Sequence, residues 1–244
     1  MQRTASMILG LCLALAPFAR ADQWSKTFTL TGKPDLRVET SDANIRVDTW
    51  EQNTIEARVT SEGWKIGEGG VKVTDHQTGD SVELEVRLPH TVCIVCFHTK
   101  DHRVDVEVHM PRQGHVNLRS SDGSIRLSNF TGNMEIQSSD GSQEIDGVDG
   151  SLKAHASDGH IKATGRFDSL QLSSSDGRIE ARALASSTIS SSWDIHTGDG
   201  HINLDMPVSV EGRLRNNNIR GKLNGGGNLL TIHTGDGSIH LEKS

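Results

Sequence analysis

A nine-residue repeat occupies the second half of this 244-residue chain. Glycine recurs at every ninth position from Gly114 through Gly123, Gly132, Gly141 and Gly150 to Gly159. Asp-Gly pairs share this register at Asp122, Asp140, Asp158 and Asp176, each 18 residues after the last, and Asp199 and Asp236 continue the series after longer gaps of 23 and 37 residues. A strict period of this kind is typical of solenoids, in which each repeat is a small structural unit that stacks on the next.

The residues that follow the Asp-Gly pairs alternate between apolar and other side chains, as in Ile125-Arg126-Leu127 and Ile161-Lys162-Ala163. A period of two predicts a strand with one buried face. Asp-Gly favours a tight turn, because glycine adopts positive φ without penalty and aspartate bonds nearby amides. We therefore expect an all-β chain, a parallel β-solenoid similar to a β-helix or β-roll. Its units would be nine-residue strand-and-turn repeats, with two strands in each 18-residue coil.

The outward position between the two apolar residues changes sign from one predicted coil to the next. Its residues are Arg126, Glu144, Lys162 and Glu180. Opposite charges on neighbouring strands stabilise a sheet, whereas like charges repel, so the order of signs supports the register. Gln143 breaks the pattern because it falls at an inward position, where we expect it to bond to backbone.

The same register occurs near the N-terminus, where Leu36-Arg37-Val38 is followed one repeat later by Ile45-Arg46-Val47. Strand-like runs between these segments and the repeat are out of phase with it. We expect a single domain over residues 22–244, with an irregular insert at about 61–110 and regular repeats at about 111–244.

Residues 1–21 have the pattern of a signal peptide. Arg3 precedes an apolar run of about ten residues, and Ala19 and Ala21 are the small residues that a signal peptidase reads. The run is too short to cross a bilayer, which takes roughly twenty residues. We expect cleavage after Ala21, export to the periplasm or the extracellular space, and no transmembrane anchor.

Charge argues against nucleic acid as a partner. Removal of Arg3 and Arg20 from the 25 basic residues leaves 23 against 32 acidic ones, a formal charge of −9. A chain with this charge repels phosphate backbones.

After processing, two cysteines remain, in the segment His-Thr-Val-Cys-Ile-Val-Cys-Phe-His. An oxidising compartment favours a disulfide between Cys93 and Cys96. An extended strand opposes it, since positions three apart lie about 10 Å from each other. Soft thiolates and imidazoles also suit zinc or copper, so a metal site is an alternative, with the candidate ligands His90, Cys93, Cys96, His98 and His102. Free or intermolecular thiols are the third possibility.

The aspartates of the Asp-Gly pairs would stack about 5 Å apart along one edge of a solenoid. We interpret them as caps of turn amides. Calcium binding is the alternative, because stacked carboxylates repel one another and a cation would relieve this. The chain contains no Gly-x-Ser-x-Gly, no His-Glu-x-x-His and no phosphate-binding loop, so we expect no catalytic residues and no cofactor.

Three segments resemble the bacterial DUF4097 family of exported, strand-repeat candidate adhesins. They are Val-Asp-Val-Glu-Val-His-Met-Pro at 104–111, leading into the first repeats, Asp-Gly-His-Ile-Asn-Leu-Asp-Met-Pro at 199–207, and the closing Gly-Gly-Gly-Asn-Leu-Leu-Thr-Ile-His-Thr-Gly-Asp-Gly. The resemblance covers most of residues 35–242 and implies a solenoid-like fold at the cell envelope without catalytic residues.

The expected function is therefore a non-catalytic, adhesin-like or structural binding module of the cell envelope, with an envelope protein or a glycan as its partner. One alternative is a periplasmic metal-binding protein that uses the Cys/His segment. The other is a polysaccharide-acting β-helix enzyme, which would need longer loops around a cleft.

Overall fold

The computed structural model describes residues 21–89, 102–183, 191–197, 202–205, 214–215, 218–223 and 228–243, with side chains at 21–89, 102–182 and 231–242. All regular structure in these ranges is β, and 19 strands join in a single sheet. The all-β class expected from the alternation of apolar residues is confirmed. No helix in the described ranges is capable of crossing a bilayer.

The strands follow one another with short connections through most of the described chain. The first nine are β1 (Asp22–Thr29), β2 (Asp35–Thr40), β3 (Asn44–Trp50), β4 (Thr54–Glu62), β5 (Lys72–Thr78), β6 (Ser81–Arg87), β7 (Arg103–Pro111), β8 (Gln113–Ser120) and β9 (Ile125–Ser128). The remainder are β10 (Thr131–Ser138), β11 (Gln143–Ala156), β12 (Ile161–Ser174), β13 (Ile179–Ala183), β14 (Ser191–Thr197), β15 (Ile202–Asp205), β16 (Leu214–Arg215), β17 (Asn218–Leu223), β18 (Asn228–Thr234) and β19 (Ile239–Lys243).

Parallel pairing arranges most strands in two ladders. Ladder A contains β6, β2, β8, β10, the second halves of β11 and β12, β18 and β14, in that order. Ladder B contains β7, β3, β9, the first halves of β11 and β12, β13, β19 and β15. In the central part each residue pairs with those two repeats before and after it in sequence, as Met134 shows by pairing with Val116 and Leu152.

Antiparallel strands flank the parallel ladders at both ends, so the sheet is mixed and not uniformly parallel. At one end β5 pairs with β6, and β4 pairs with both β7 and β1. At the other end β17 pairs with β14 and β16. Turn connections explain two of these pairs, β5–β6 and β16–β17, since an antiparallel neighbour needs only a turn. The pairs β4–β7, β1–β4 and β14–β17 join strands that other strands separate along the chain.

The segment at 61–110 that we predicted to be irregular contributes strands to both ladders. Strand β6 pairs in parallel with β2, and β7 pairs in parallel with β3. The separations along the chain between the paired residues are not multiples of nine. The nine-residue period therefore did not predict these two pairs of strands. The irregular part within the described residues is the β4–β5 connection, where Gly63, Gly67 and Gly69 have positive φ.

Apolar side chains from both ladders form one core. The predicted inward residues Ile125, Ile145, Ile161 and Ile179 are all at most 1% exposed, which confirms the register. Gln143 is also buried, as its position predicted, and its Nε2 donates to the carbonyl oxygen of His155 at 2.6 Å and to Oγ of Ser138 at 2.8 Å.

Candidate functional site

The aspartates of the Asp-Gly pairs form a column at the corner that leads from ladder A to ladder B. The amide of Asp140 donates to the carbonyl oxygen of Ser121 at 3.0 Å, and that of Asp158 donates to Ser139 at 3.0 Å. The same bond recurs in the turns of Asp122, Asp176 and Asp236. Asp42 begins the column, because the amide of Asp122 donates to the neighbouring Ser41, and Asp199 lies outside the described residues. The described part of the column is largely exposed to solvent.

Repulsion within this column affects Asp122. Desolvation of its carboxyl raises the pKa of Asp122, and the neighbouring carboxyls of Asp42 and Asp140 raise it further. The direction is that of an acid placed among like charges.

Hydroxyl groups make side-chain hydrogen bonds to the backbone in these turns. Two residues before the aspartate, Oγ of Ser174 accepts from the amide of Gly177 at 3.0 Å, and Oγ of Ser138 donates to the carbonyl oxygen of Gly141 at 2.6 Å. Buried hydroxyls occupy this position in the described turns at Thr40, Ser120, Ser138, Ser174 and Thr234. The Ser/Thr-x-Asp motif carried this signal in the sequence, and we did not predict the role. Outside the column, the carboxylates of Asp80 and Asp22 accept from backbone, at the amides of Thr31 and Ile66.

The turn glycines are required by close stacking and not by positive φ, which corrects the reason given for them above. None of four turn glycines has a positive φ, namely Gly123, Gly141, Gly159 and Gly177. A Cβ on each of the last three would overlap the carbonyl oxygen of the glycine 18 residues earlier. At the opposite corner Gly132 and Gly150 have both features, with φ of 134° and 123°.

Of the proposed Cys/His ligands, His90, Cys93, Cys96 and His98 lie outside the described residues, as does the predicted disulfide. The fifth, His102, stacks on the indole of Trp64, with ring centroids 4.2 Å apart and an interplanar angle of 16°. Its ring occupies the space beside Gly63, where a Cβ would contact it. Where side chains are described, no group of three or more His, Cys, Asp or Glu is arranged to hold a metal ion.

The outer face of ladder B is charged. Its cross-strand row runs through Arg126, Glu144, Lys162 and Glu180 in register, as predicted. Nε of Arg126 donates to Glu144 at 2.8 Å, and Arg182 pairs with Glu242 further along the same face. The alternation stops at β3, where Arg46 lies beside Arg126.

A depression of about 410 Å³ surrounds this like-charged pair. Each arginine in it has its own carboxylate, since Nε of Arg46 donates to Asp48 and Nε of Arg103 donates to Asp105, both at 2.7 Å. These bonds raise the pKa of both arginines. The depression is therefore a balanced ionic surface with no excess of positive charge.

The outer face of ladder A is different on strands β10, β11, β12 and β18. We call this part the polar face, formed by Asn133, Glu135, Gln137, Ser151, Lys153, His155, Ser169, Gln171, Ser173, Thr231 and His233. Its charged residues are Glu135 and Lys153, which lie in register and pair at 3.8 Å. The others are amides, hydroxyls and imidazoles.

The chain belongs to the Toastrack DUF4097 family, whose model matches residues 34–242. This confirms the resemblance noted in the sequence. None of the curated proteins matches the chain.

Solved structures agree with the fold. A candidate cell adhesion protein from Clostridium sporogenes is similar at a TM-score of 0.51 and 12% identity, over 92% of this chain and 100% of that chain. A candidate adhesin from Bacteroides fragilis has a TM-score of 0.37 and 10% identity, over 91% and 98% of the two chains. A candidate lipid binding protein from Parabacteroides distasonis has a TM-score of 0.31 and 12% identity, over 90% and 96%. At these identities the first similarity supports the fold alone, and the other two are too weak to support an argument.

Proposed function

We propose that this protein is an exported, non-catalytic binding module of the cell envelope with an adhesin-like role. The observation that carries the proposal is the construction of the molecule around repeated outer faces. Both ladders bury their apolar residues in one core and present polar side chains in rows at strand spacing. Repeated rows suit a partner that is itself extended or repetitive, and suit a small substrate poorly.

We further propose that the repeat is a β-solenoid of nine-residue strand-and-turn units, with two strands in each 18-residue coil. Parallel partners separated by two repeats in both ladders support it. The two glycine columns, one at each corner, also support it, because each coil turns twice.

The displaced pKa values in the described residues have local structural causes, which favours a binding role over catalysis. Backbone amides of Thr31 and Gly32 lower the pKa of Asp80, and burial lowers the pKa of His160, with Arg178 acting in the same direction. Catalytic sites instead bring perturbed groups together in a cleft with a nucleophile or an acid–base partner.

The proposal of export is supported by the signal-like residues 1–21 and by the family. The proposal of an adhesin-like role is supported by the similar structure from Clostridium sporogenes, which is described as a candidate cell adhesion protein. A periplasmic metal-binding role through the Cys/His segment remains the second candidate function. Its support is the donor set of that segment.

Expression of the full chain in a bacterium with a periplasm tests the proposal. We expect the recovered protein to begin at Asp22, to remain with the envelope after cell breakage, and to release no reducing ends from uronate or neutral glycans. Retention of residues 1–21 in the cytoplasm, loss from the envelope fraction, or glycan turnover would each reject it. Stoichiometric zinc or copper that survives dialysis would favour the second candidate.

A further inference from the structure

The two outer faces differ in the free energy that is lost when a ligand covers them and removes water from their side chains. On ladder B, the outward residues of the central strands are mostly charged and paired, as Arg126 is with Glu144. Covering such a face removes water from many ions, and their mutual attraction repays that cost only with excellent geometry. On the polar face, amides and hydroxyls lose less, and a ligand rich in hydroxyl groups can replace their bonds to water.

The polar side chains at the centre of this face are accessible to a ligand. Asn133, Ser151 and Ser169 form one cross-strand row, and Gln171 and Thr231 continue the row of Glu135 and Lys153. Asn133, Ser169 and Gln171 are exposed. Neighbouring strands lie about 4.8 Å apart, so hydrogen-bonding groups recur along the face at a distance close to the length of one sugar residue.

Net charge selects among the possible ligands. The chain after Ala21 has a formal charge of −9, which repels polyanions at long range. An uncharged polymer does not suffer this repulsion, and it matches a face whose own charged residues are the pair of Glu135 and Lys153, with Arg119 and Asp168 at its edges.

We propose that the polar face of ladder A binds an uncharged polysaccharide, laid across the strands of β10, β11, β12 and β18. The proposal rests on the binding function proposed above and gives it a surface and a class of ligand. The charged face of ladder B remains in water when the ligand is bound.

Affinity electrophoresis of the mature chain, residues 22–244, tests the assignment. Native gels contain galactomannan, hydroxyethyl cellulose or dextran as neutral probes and polygalacturonate as the anionic probe. We expect at least one neutral probe to retard the protein and polygalacturonate to leave it unaffected. The double substitution Ser169→Asp with Gln171→Glu should weaken retardation by about tenfold or more, because bound glycan would cover unpaired carboxylates.

The matched control places the same charges on ladder B, by Ser128→Asp with Thr164→Glu, and should keep the affinity of the unmodified chain. Absence of retardation by all neutral probes, equal retardation by polygalacturonate, or equal weakening by the control would overturn the proposal. Envelope retention of both double variants is measured in parallel. If the S169D/Q171E chain stays with the envelope as firmly as the unmodified one, the polar face is rejected while the proposed function stands. If the unmodified chain itself fails to stay, the proposed function is rejected.

Discussion

A Cβ atom added to Gly141 would overlap the carbonyl oxygen of Gly123, the glycine 18 residues earlier. The same relationship links Gly159 to Gly141 and Gly177 to Gly159. Backbone therefore packs on backbone along this corner, and the distance between neighbouring turns there leaves no room for a side chain.

Replacement of Gly141 by Ala should destabilise the protein by about 1–3 kcal/mol, because the backbone of the turn must shift to admit a methyl group. The measurement is the urea midpoint of unfolding. Ser139→Ala, an exposed change in the same turn, is the control and should leave the midpoint nearly unchanged. Equal midpoints for both variants would contradict the packing argument.

Ile161→Asp should unfold the array, because a carboxylate at a position 0% exposed has no partner in an apolar core. Far-UV circular dichroism should lose its β signal. Ile161→Val removes one methylene at the same place and should cost only about 1 kcal/mol. A folded Ile161→Asp chain with unchanged stability would place Ile161 outside the core.

Asp122→Asn should stabilise the protein at neutral pH by about a few tenths of a kcal/mol, since it removes a carboxylate beside Asp42 and Asp140. The folded pKa of Asp122 is raised, so the folded state binds the proton more tightly than the unfolded state does. The cost of the carboxylate is therefore full above the folded pKa and disappears as the pH falls below the ordinary aspartate value of about 3.9. Thermal unfolding at pH 7 and pH 3 measures the difference, which should be absent for Asp168→Asn. A gain that persists at pH 3 would show another cause.

Glu144→Lys should destabilise the chain by about 0.5–1 kcal/mol, because the new cation would lie between Arg126 and Lys162. High salt should reduce the loss, since these side chains are exposed to solvent. Glu68→Lys makes the same charge change in the exposed β4–β5 connection and should have little effect. A loss that salt does not change would argue against repulsion.

Cys93 and Cys96 should be oxidised to each other in protein recovered from the periplasm. The closed loop is short, so the gain in stability should be small. Intact mass without reductant should be two hydrogens lower than with reductant, and alkylation should find no free thiol. Alkylation of both cysteines, or a stoichiometric metal lost on chelation, would reject the disulfide.

Local sequence patterns predicted the strands of the repeat and their buried faces. Ile125 and Ile161 each follow a turn and are followed by a charged residue, and both are buried. Their burial could be predicted because an alternation with a period of two places the apolar residues on one face of the strand. The opposite charges of Arg126 and Glu144 likewise supported the prediction that their two strands are neighbours. His102 is the described residue of the proposed metal site, and its stacking on Trp64 could not be predicted from the sequence, because strands β5 and β6 separate the two residues along the chain.

The amino-acid sequence alone determined the class of fold, the 18-residue register and the corners where glycine is needed. Tertiary structure decided the order of the strands in the two ladders. Strands β2 and β3 lie between β6 and β7 on one side and β8 and β9 on the other, and β18 and β19 lie between β12 and β13 on one side and β14 and β15 on the other. A strand's alternation specifies its buried face but not its neighbour, because parallel partners are joined through distant segments and are chosen by packing across the whole core.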